Sequence, residues 1–448
     1  MSSVDGRQME GADMAGSRTL FTSAAVAGTA ARLGRLALPG RAAIDTPNYT
    51  SVASRGAVPH LTPDNMTKSV SPGPVYMALE DFIEKTQPPI YKTPVTRENR
   101  LHSFTALPLA SATILAARRS QTVTTPTGNT AKSVTLFTST GFRGLSVPAY
   151  VEAVRLLRPD VVVPLADLPH TSTAPPAKKL VRMVDRTEEW LDQFLEATAA
   201  GTDAAPTSAV FAPVLPVEYP LQWAYLQHLA DDVLGSLSGL AIYDTRLLGD
   251  IIRNYAALGP LPRLSLDAPK TPQQVLQQVA LGVDVCVLPF INAVSDSGVA
   301  FTFTFPAPAS SVAAPQPLGT NMWLEEHATA LRPLSAGCSC YACTTHHRAY
   351  LRHLLNAKEM LGWSLLQIHN HCAMSRFFDG VRAALRDGTF GAAAERFAAA
   401  YEADFPEGTG ERPRARGYHF KSEYGQEKIN KTTWVDVEGT FAQAEMKA

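Results

Sequence analysis

Three of the five cysteines in this 448-residue chain fall within six positions, as Cys338, Cys340 and Cys343, and 25 residues separate the last of them from His369. Three thiolates and one imidazole are a ligand set that binds a structural Zn²⁺ ion in a closed tetrahedron. Gly337 eases the tight loop that would bring the three sulfurs to one point. We therefore predict one structural Zn²⁺ per chain, held by Cys338, Cys340, Cys343 and His369.

Three other histidines could supply the fourth ligand in place of His369, namely His346, His347 and His371. His369 follows Leu365 by four positions, so the two side chains can share one buried face of a helix. His371 points to a different side of the same helix. His346 and His347 are expected to be solvated or to face an anion.

The residues between the cysteines and His369 must fold so that the histidine returns to the sulfurs. Apolar residues recur at helical spacing in 350–355 and again in 360–368, and Asn356 separates the two stretches. This pattern predicts a helical hairpin that brings His369 back to the cysteine loop. Because four protein ligands leave no open coordination position, we expect a structural metal rather than a hydrolytic one.

The overall composition is that of a large globular protein. The chain has 40 basic and 41 acidic residues and is 45% hydrophobic, which allows one large domain or two. A net charge near zero argues against a protein that coats nucleic acid, although it allows a local basic patch. No run of eighteen apolar residues occurs, so no membrane span is predicted. The remaining cysteines, Cys286 and Cys372, are single, which favours a reducing, cytoplasmic compartment.

Strand-like apolar runs alternate with amphipathic helical stretches through the middle of the chain. The runs occupy 134–137, 161–165, 210–214, 240–243 and 283–288. Such alternation is typical of a parallel sheet covered by helices on both faces. The number and spacing of the runs favour an α/β fold of the (β/α)₈ TIM-barrel type over an open doubly wound sheet.

We divide the chain into four parts. They are a disordered lead at 1–19, a TIM-barrel body at 20–317, a zinc-binding subdomain with the closing barrel helices at 318–400, and a C-terminal tail at 401–448. The tail mixes basic and aromatic residues. We expect it to be solvated, and phosphate binding is the alternative interpretation.

The pattern Cys-x-Cys-x₂-Cys-x₂₅-His, with the residues around it at 347–370, closely resembles the tRNA-guanine transglycosylases. Segments 32–41, 44–49 and 55–64 are similar to the opening strands of that family, and a looser resemblance covers 20–400. It implies a TIM barrel with a zinc subdomain near its C-terminal end, and exchange of the wobble guanine of tRNA for queuine or a precursor. In that reaction one aspartate attacks the ribose to form a covalent intermediate, and another moves protons.

The catalytic motifs of the family are largely missing from this chain. The family's Asp-Ser-Gly-Gly-[Phe/Tyr]-Gln corresponds most closely to Thr138-Ser-Thr-Gly-Phe-Arg143, which has no acid. Its base-recognition motif Phe-Asp-Glu-Cys corresponds to 166–169, where only Asp167 remains. Its Gly-Ile-Val-Gln-Gly-Gly corresponds to 212–217, where prolines and a leucine cannot offer the same backbone donors.

The nucleophile strand is the closest match among these motifs. Family enzymes have Gly-Val-Asp-Met-Phe-Asp-Cys-Val-x-Pro-Thr-Arg, in which the second aspartate attacks. This chain has Gly282-Val-Asp-Val-Cys-Val-Leu-Pro-Phe290, with Asp284 as its one acid. Asp284 could stand for either aspartate, depending on where the gap falls. We favour a structural role in which it caps a helix or bonds backbone amides, and we keep it as the one candidate nucleophile.

A catalyst needs its nucleophile, proton shuttle and base-binding donors within reach of one another. The resemblance is therefore closest to the non-catalytic subunit of the eukaryotic heterodimer. It implies a catalytic queuine tRNA-ribosyltransferase subunit and tRNA as partners, and an interface centred on the zinc subdomain. Phosphate contacts are expected from the polar face of the hairpin, at His346, His347, Arg348, Arg352 and Lys358.

The resemblance also allows a peripheral association with the mitochondrial outer membrane, in addition to a cytoplasmic location. Two other functions remain open from the residues alone. One is a self-sufficient tRNA-guanine transglycosylase that uses Asp284 as its nucleophile. The other is a zinc-dependent hydrolase built on a barrel, against which the four-ligand metal site counts.

Overall fold

The computed structural model describes residues 20–413, apart from 27, 71–72, 86, 120–127, 139, 169–174, 200–207 and 309–313. The predicted lead at 1–19 and the part of the predicted tail beyond residue 413 lie outside the described residues. No helix in the described ranges is both long and apolar enough to cross a membrane.

The strands and helices of the described residues alternate along most of the chain. The strands are β1 (Leu20–Ala25), β2 (Arg32–Ala37), β3 (Ile44–Thr46), β4 (Asn48–Val52), β5 (Val75–Ala78), β6 (Thr113–Ala116), β7 (Ser133–Thr138), β8 (Gly141–Ser146), β9 (Val161–Val162), β10 (Ala209–Val214), β11 (Gly239–Ile242), β12 (Arg263–Ser265), β13 (Val285–Val287), β14 (Val299–Phe301) and β15 (Gly319–Asn321). The helices are α1 (Pro63–Ser69), α2 (Pro89–Lys92), α3 (Arg100–Thr105), α4 (Val147–Leu157), α5 (Ala177–Ala199), α6 (Tyr219–Asp231), α7 (Leu248–Asn254), α8 (Pro272–Ala280), α9 (Phe290–Asp296), α10 (Tyr341–Thr345), α11 (Arg348–Asn356), α12 (Met360–Arg386) and α13 (Phe390–Ala400).

Eight parallel strands form a closed barrel in the order β4, β5, β6, β9, β10, β11, β12 and β13, and β13 pairs with β4 to close it. At the closure Val285 lies opposite Asn48 and Cys286 opposite Tyr49. All six residues of β10 are buried, as expected for a strand covered by side chains inside the barrel and by helices outside it. The prediction of a (β/α)₈ barrel is confirmed.

The apolar run at 134–137 was wrongly grouped with the barrel strands. It lies in β7, which pairs antiparallel with β8 in a hairpin outside the barrel, where Thr138 faces Gly141. Two residues separate these strands in the sequence, and so short a connection permits only antiparallel pairing, because a parallel crossover needs a dozen residues or more. The barrel strand in this part of the chain is β6.

The antiparallel sheet β1–β2–β3 contributes a buried arginine to the amino-terminal end of the barrel. Arg32 on β2 donates from Nε and Nη2 to the two carboxylate oxygens of Asp284, at 2.9 Å and 2.5 Å. The same guanidinium donates to the backbone carbonyl oxygens of Gly259 and Leu261, which precede β12. Arg32 thus ties the sheet to the base of the barrel with a bidentate ion pair.

Asp284 is fully buried and directly precedes β13, so it lies at the amino-terminal end of its strand. Its carboxylate also accepts a hydrogen bond from the backbone amide of Arg263, at 2.7 Å. Burial raises the pKa of Asp284, and the hydrogen bonds from Arg32 oppose that rise. Active sites of TIM barrels form at the carboxyl-terminal ends of the strands. This geometry supports the structural role for Asp284.

The C-terminal part of the described chain has a small hydrophobic cluster of its own, next to the main core. This second cluster includes Met322, Leu351, Trp363 and Leu366. The 27-residue helix α12 belongs to both, because its later residues, such as Phe377, pack in the main core. The boundary at 317/318 between a barrel body and a zinc subdomain stays a prediction.

Replacing Arg32 by Met leaves the Asp284 carboxylate buried without its cationic partner. We expect Arg32→Met to lower the free energy of unfolding by about 3–5 kcal/mol, the usual effect of breaking a buried ion pair. Urea denaturation followed by circular dichroism measures this decrease. Lys68 forms an exposed ion pair with Asp64, so Lys68→Met is the control, with an expected change below about 1 kcal/mol. Equal decreases in the two variants would contradict the role assigned to Arg32.

Candidate metal centre and barrel mouth

A short loop and the start of a helix position the three clustered cysteines. Gly337 has a φ of +70°, a left-handed conformation that glycine adopts without strain. Cys340 is the N-cap residue of α10, and Cys343 lies within that helix. The amide of Cys343 donates to the carbonyl oxygen of Cys340, at 3.0 Å. This turn holds the last two sulfurs on the side of the loop that faces α12.

His369 on α12 completes the group. Its Nδ1 lies 3.6 Å, 3.5 Å and 3.3 Å from the sulfurs of Cys338, Cys340 and Cys343. The four ligand atoms all lie within 4.8 Å of one another, and these residues could hold a metal ion. In a tetrahedral zinc site with Zn–S of about 2.3 Å and Zn–N of about 2.1 Å, nitrogen and sulfur lie about 3.6 Å apart. The observed separations fit such an ion.

The orientation of His369 is set from its other side. Its Nε2 lies 2.8 Å from the carbonyl oxygen of Phe301 on β14, which requires the proton on Nε2 and leaves the lone pair of Nδ1 facing the sulfurs. The amide of Phe301 donates to Oδ1 of Asn370, the next residue on α12. Burial lowers the pKa of His369, but its hydrogen bonds to Cys338 and Cys343 outweigh this and raise it to about 9. A metal ion would bind the deprotonated Nδ1 in place of that proton.

The rival histidines have other contacts. Burial lowers the pKa of His371 to about 4, and its Nδ1 lies 3.2 Å from the hydroxyl of Tyr49 on the barrel strand β4. Nδ1 of His347 accepts a hydrogen bond from the amide of Tyr350, and the ring of His346 stacks on the ring of Tyr350. None of the three belongs to the cysteine group. None of the five cysteines is joined to another by a disulfide.

The carboxyl-terminal ends of the barrel strands form the barrel mouth, where a TIM-barrel enzyme would bind its substrate. The motif comparison placed the counterpart of the acidic glycine motif at 138–143, but Thr138 ends β7 and Gly141 begins β8, so the described residues of this segment belong to the hairpin and not to a barrel strand. The residues that directly follow the barrel strand β6 are Ala117, Arg118 and Arg119. That position has arginines and no acid.

Asp167, the acid kept from the base-recognition motif, does lie at the barrel mouth, after β9. It is 2% exposed, and its carboxylate accepts hydrogen bonds of 2.6 Å each from Asn129 and Arg186. Burial raises the pKa of Asp167, and the hydrogen bond from Asn129 and the charges of Arg186, Arg118 and Lys179 oppose this. Residue 169 of the same motif lies outside the described residues.

Other acids at the barrel mouth also have partners. Burial raises the pKa of Glu80, which follows β5, to about 7, and its carboxylate accepts a hydrogen bond from the amide of Arg119. Three aspartates are each paired with an arginine: Asp81 with Arg119, Asp167 with Arg186, and Asp244 with Arg246. Carboxylates engaged in this way are poor nucleophiles, because attack would break the ion pair.

The two remaining family motifs correspond to β13 and β10, and the residues at the mouth ends of these strands are apolar. At the end of β13 the chain continues with Leu288 and Pro289, and at the end of β10 with Leu215. Val287, Leu288, Val214 and Leu215 are all buried. Asp284 lies three residues before Val287, at the end of the strand opposite to the barrel mouth.

The five residues predicted to meet phosphates also have contacts within the chain. Arg348 donates to the carbonyl oxygen of Leu334 at 2.6 Å, Arg352 pairs with Glu325, and Lys358 pairs with Glu411 at 2.7 Å. His346 and His347 contact Tyr350, as described above. Phosphate binding by this face of the hairpin therefore requires these contacts to be replaced.

The ligand assignment can be tested by metal analysis of purified variants. We expect the wild-type chain to hold about one metal ion, and Cys340→Ser or His369→Ala to release it and to unfold at a lower temperature, because metal binding is coupled to folding in such sites. Cys286 lies on the barrel strand β13, outside the four-residue group. Cys286→Ala is therefore the matched control and should keep the metal, and a metal-free Cys286→Ala chain would contradict the assignment.

Comparison with known proteins identifies the family. The family model described as queuine tRNA-ribosyltransferase (TGT) matches residues 27–403. A Schizosaccharomyces pombe protein named queuine tRNA-ribosyltransferase accessory subunit 2 is 35% identical over 399 residues, which cover 88% of this chain and 87% of the relative. Proteins of the same name from Xenopus tropicalis and Drosophila grimshawi are 28% and 26% identical, each over 82% of this chain and over 96% and 88% of their own length. The resemblance noted in the sequence is confirmed, and the chain belongs to the queuine tRNA-ribosyltransferase family.

Proposed function

We propose that this chain is the non-catalytic subunit of a two-subunit queuine tRNA-ribosyltransferase, which exchanges wobble guanine for queuine in tRNA. Its role is to support the catalytic subunit and to help bind the tRNA. The names of the relatives support this role. The observation that carries it is the barrel mouth, where Asp81, Asp167 and Asp244 are each paired with an arginine and the end of β13 is apolar.

The alternative of a self-sufficient transglycosylase is not favoured. It needs Asp284 to attack a ribose, but that carboxylate is fully buried at the amino-terminal end of β13 and held by Arg32 at both oxygens. A zinc hydrolase is disfavoured as well, since the four grouped residues would fill a tetrahedral coordination shell.

We further propose that the metal is a structural Zn²⁺, one per chain, held by Cys338, Cys340, Cys343 and His369. Thiolates and imidazole suit this ion, and four protein ligands leave no position for a reacting water. The ion would join the loop of α10 to α12 and so stabilise a subdomain at 318–400. A cytoplasmic location, with peripheral attachment to the mitochondrial outer membrane, is part of this proposal and rests on the resemblance.

The surface around the metal centre supports an interface with the catalytic subunit. Several of the large apolar side chains exposed on the described surface lie between residues 324 and 361: Leu324 at 43%, Leu331 at 78%, Tyr341 at 50%, Met360 at 69% and Leu361 at 45%. A contiguous apolar patch built from such side chains would mark an association surface. Aromatic stacking of Tyr341, His346 and Tyr350 presents further amphipathic area beside them.

Co-expression with a catalytic family member tests the proposed function. We expect the pair to incorporate queuine into tRNA, each chain by itself to be inactive, and the pair with Asp284→Asn to keep its activity if it folds. A covalent tRNA adduct on this chain that disappears in Asp284→Asn would support the self-sufficient enzyme instead. Thermal unfolding of the Asp284→Asn chain shows separately whether a fall in activity comes from unfolding.

A double charged substitution tests the interface. Met360→Asp with Leu361→Asp is expected to weaken association with the catalytic subunit at least about tenfold, because it places carboxylates in a desolvated contact. Analytical ultracentrifugation of the mixed subunits measures the effect. Trp223 on α6 is 56% exposed and lies in the barrel body, so Trp223→Asp is the control and should leave association unchanged. Weaker association in the control alone would place the interface on the barrel.

A further inference from the structure

The helix α5 has an uneven charge distribution along its length. Its four basic residues, Lys178, Lys179, Arg182 and Arg186, all lie in its first ten positions, whereas its five acids lie between Asp185 and Glu196. Lys178, Lys179 and Arg182 are exposed. We call these three side chains the α5 basic cluster.

This arrangement opposes the electrostatics of a helix. The amino-terminal end of a helix carries a partial positive charge and is stabilised by acidic residues, whereas basic residues favour the carboxyl-terminal end. The first turn of α5 has no acid and its last turn has no base. Helix stability therefore does not explain the α5 basic cluster, whereas an anion bound at this end would gain from both the side chains and the helix dipole.

Within the described part of the chain, the α5 basic cluster makes no ion pair. No salt bridge from Lys178, Lys179 or Arg182 is found among the described side chains, in contrast to Arg352 and Lys358 of the hairpin face. Binding of an external anion here would not require such an ion pair to be broken, and counterions released from the ligand would favour it.

The position of α5 places these charges beside the barrel mouth. The chain enters α5 from the carboxyl-terminal end of β9, and Arg186, two turns along the helix, pairs with Asp167 at the mouth. Lys179 acts electrostatically on the same Asp167. From Lys178 to Arg186 the helix rises about 12 Å, so the α5 basic cluster lies within about that distance of the ion pair at the mouth, measured along the helix axis.

We propose that the α5 basic cluster binds the phosphodiester backbone of RNA, and that it is the part of this chain which holds tRNA at the barrel rim. The inference rests on the proposed function, because tRNA is the RNA available to the complex. A spread of separate exposed cations suits a chain of phosphates better than a single small anion, for which a buried, converging site is usual. An anionic membrane is the competing ligand, but the exposed side of this helix turn has only Val181 as an apolar side chain, too little to enter a bilayer.

The test uses the complex of this chain with its catalytic partner and a tRNA substrate. In the triple variant Lys178→Glu, Lys179→Glu and Arg182→Glu, the tRNA dissociation constant is expected to rise about tenfold or more at about 0.15 M salt. The slope of log affinity against log salt should fall by about two to three, one for each phosphate that the variant no longer neutralises. Acids at the start of a helix favour the helix, so folding of the variant is not expected to suffer. Circular dichroism of the triple variant checks that it is folded.

The matched control reverses three exposed basic residues away from the mouth ends of the strands, in Lys68→Glu, Arg386→Glu and Arg396→Glu. It has the same net charge as the test variant and should bind tRNA like the wild type. The inference is overturned if the test variant has the same tRNA affinity and the same salt slope as the wild type. It is also overturned if the test variant and the control lose tRNA affinity equally. Weaker binding to vesicles of phosphatidylserine and phosphatidylcholine, with tRNA affinity unchanged, would overturn it in favour of a membrane.

Assembly of the two subunits, measured by ultracentrifugation, separates this inference from the proposed function. A complex that assembles and exchanges queuine, but whose tRNA affinity does not depend on the α5 basic cluster, contradicts only the inference. A wild-type chain that neither assembles nor supports exchange contradicts the proposed function itself.

Discussion

The imidazole of His369 is the contact on which the C-terminal half of the structure depends. One of its nitrogens faces three sulfurs of the cysteine loop, and the other lies against a carbonyl oxygen of β14. The helix that carries it packs in the second cluster with its first turns and in the main core with its later ones. A single side chain therefore links the candidate metal site to a short sheet, and the helix that carries it, about 40 Å long, continues into the main core.

The barrel shows a second constraint, which is the difference between its two ends. Asp284 and Arg32 form a buried ion pair at the amino-terminal end, where their strong mutual attraction offsets the loss of hydration. At the other end, arginines pair with Asp81, Asp167 and Asp244, and of these Asp167 is the acid kept from a family motif. Both ends of the barrel therefore use carboxylates in ion pairs within the chain.

Much of the fold and of the candidate metal site could be predicted from the sequence. The features that were missed depend on which distant segments pair with each other. The four grouped ligands were predicted because three of them are local and the fourth lies on a strongly periodic helix. The hairpin at β7 and β8 was misassigned because an apolar run does not reveal which partner it pairs with. The motif does not show at which end of β13 Asp284 lies, because its partner Arg32 is 252 residues away in the sequence. The arginines after β6 were missed because the acidic glycine motif of the family was compared with 138–143 and not with the residues that follow β6.

The paired charges of the barrel mouth have a consequence for the history of this fold. The carboxylates of Asp81 and Asp167 are almost fully buried, so changing Arg119 or Arg186 alone removes the guanidinium that balances a charge in a medium of low polarity. Exchanging an acid and its arginine together avoids that cost. Substitutions at these two pairs are therefore expected to be tolerated jointly and to be selected against one at a time.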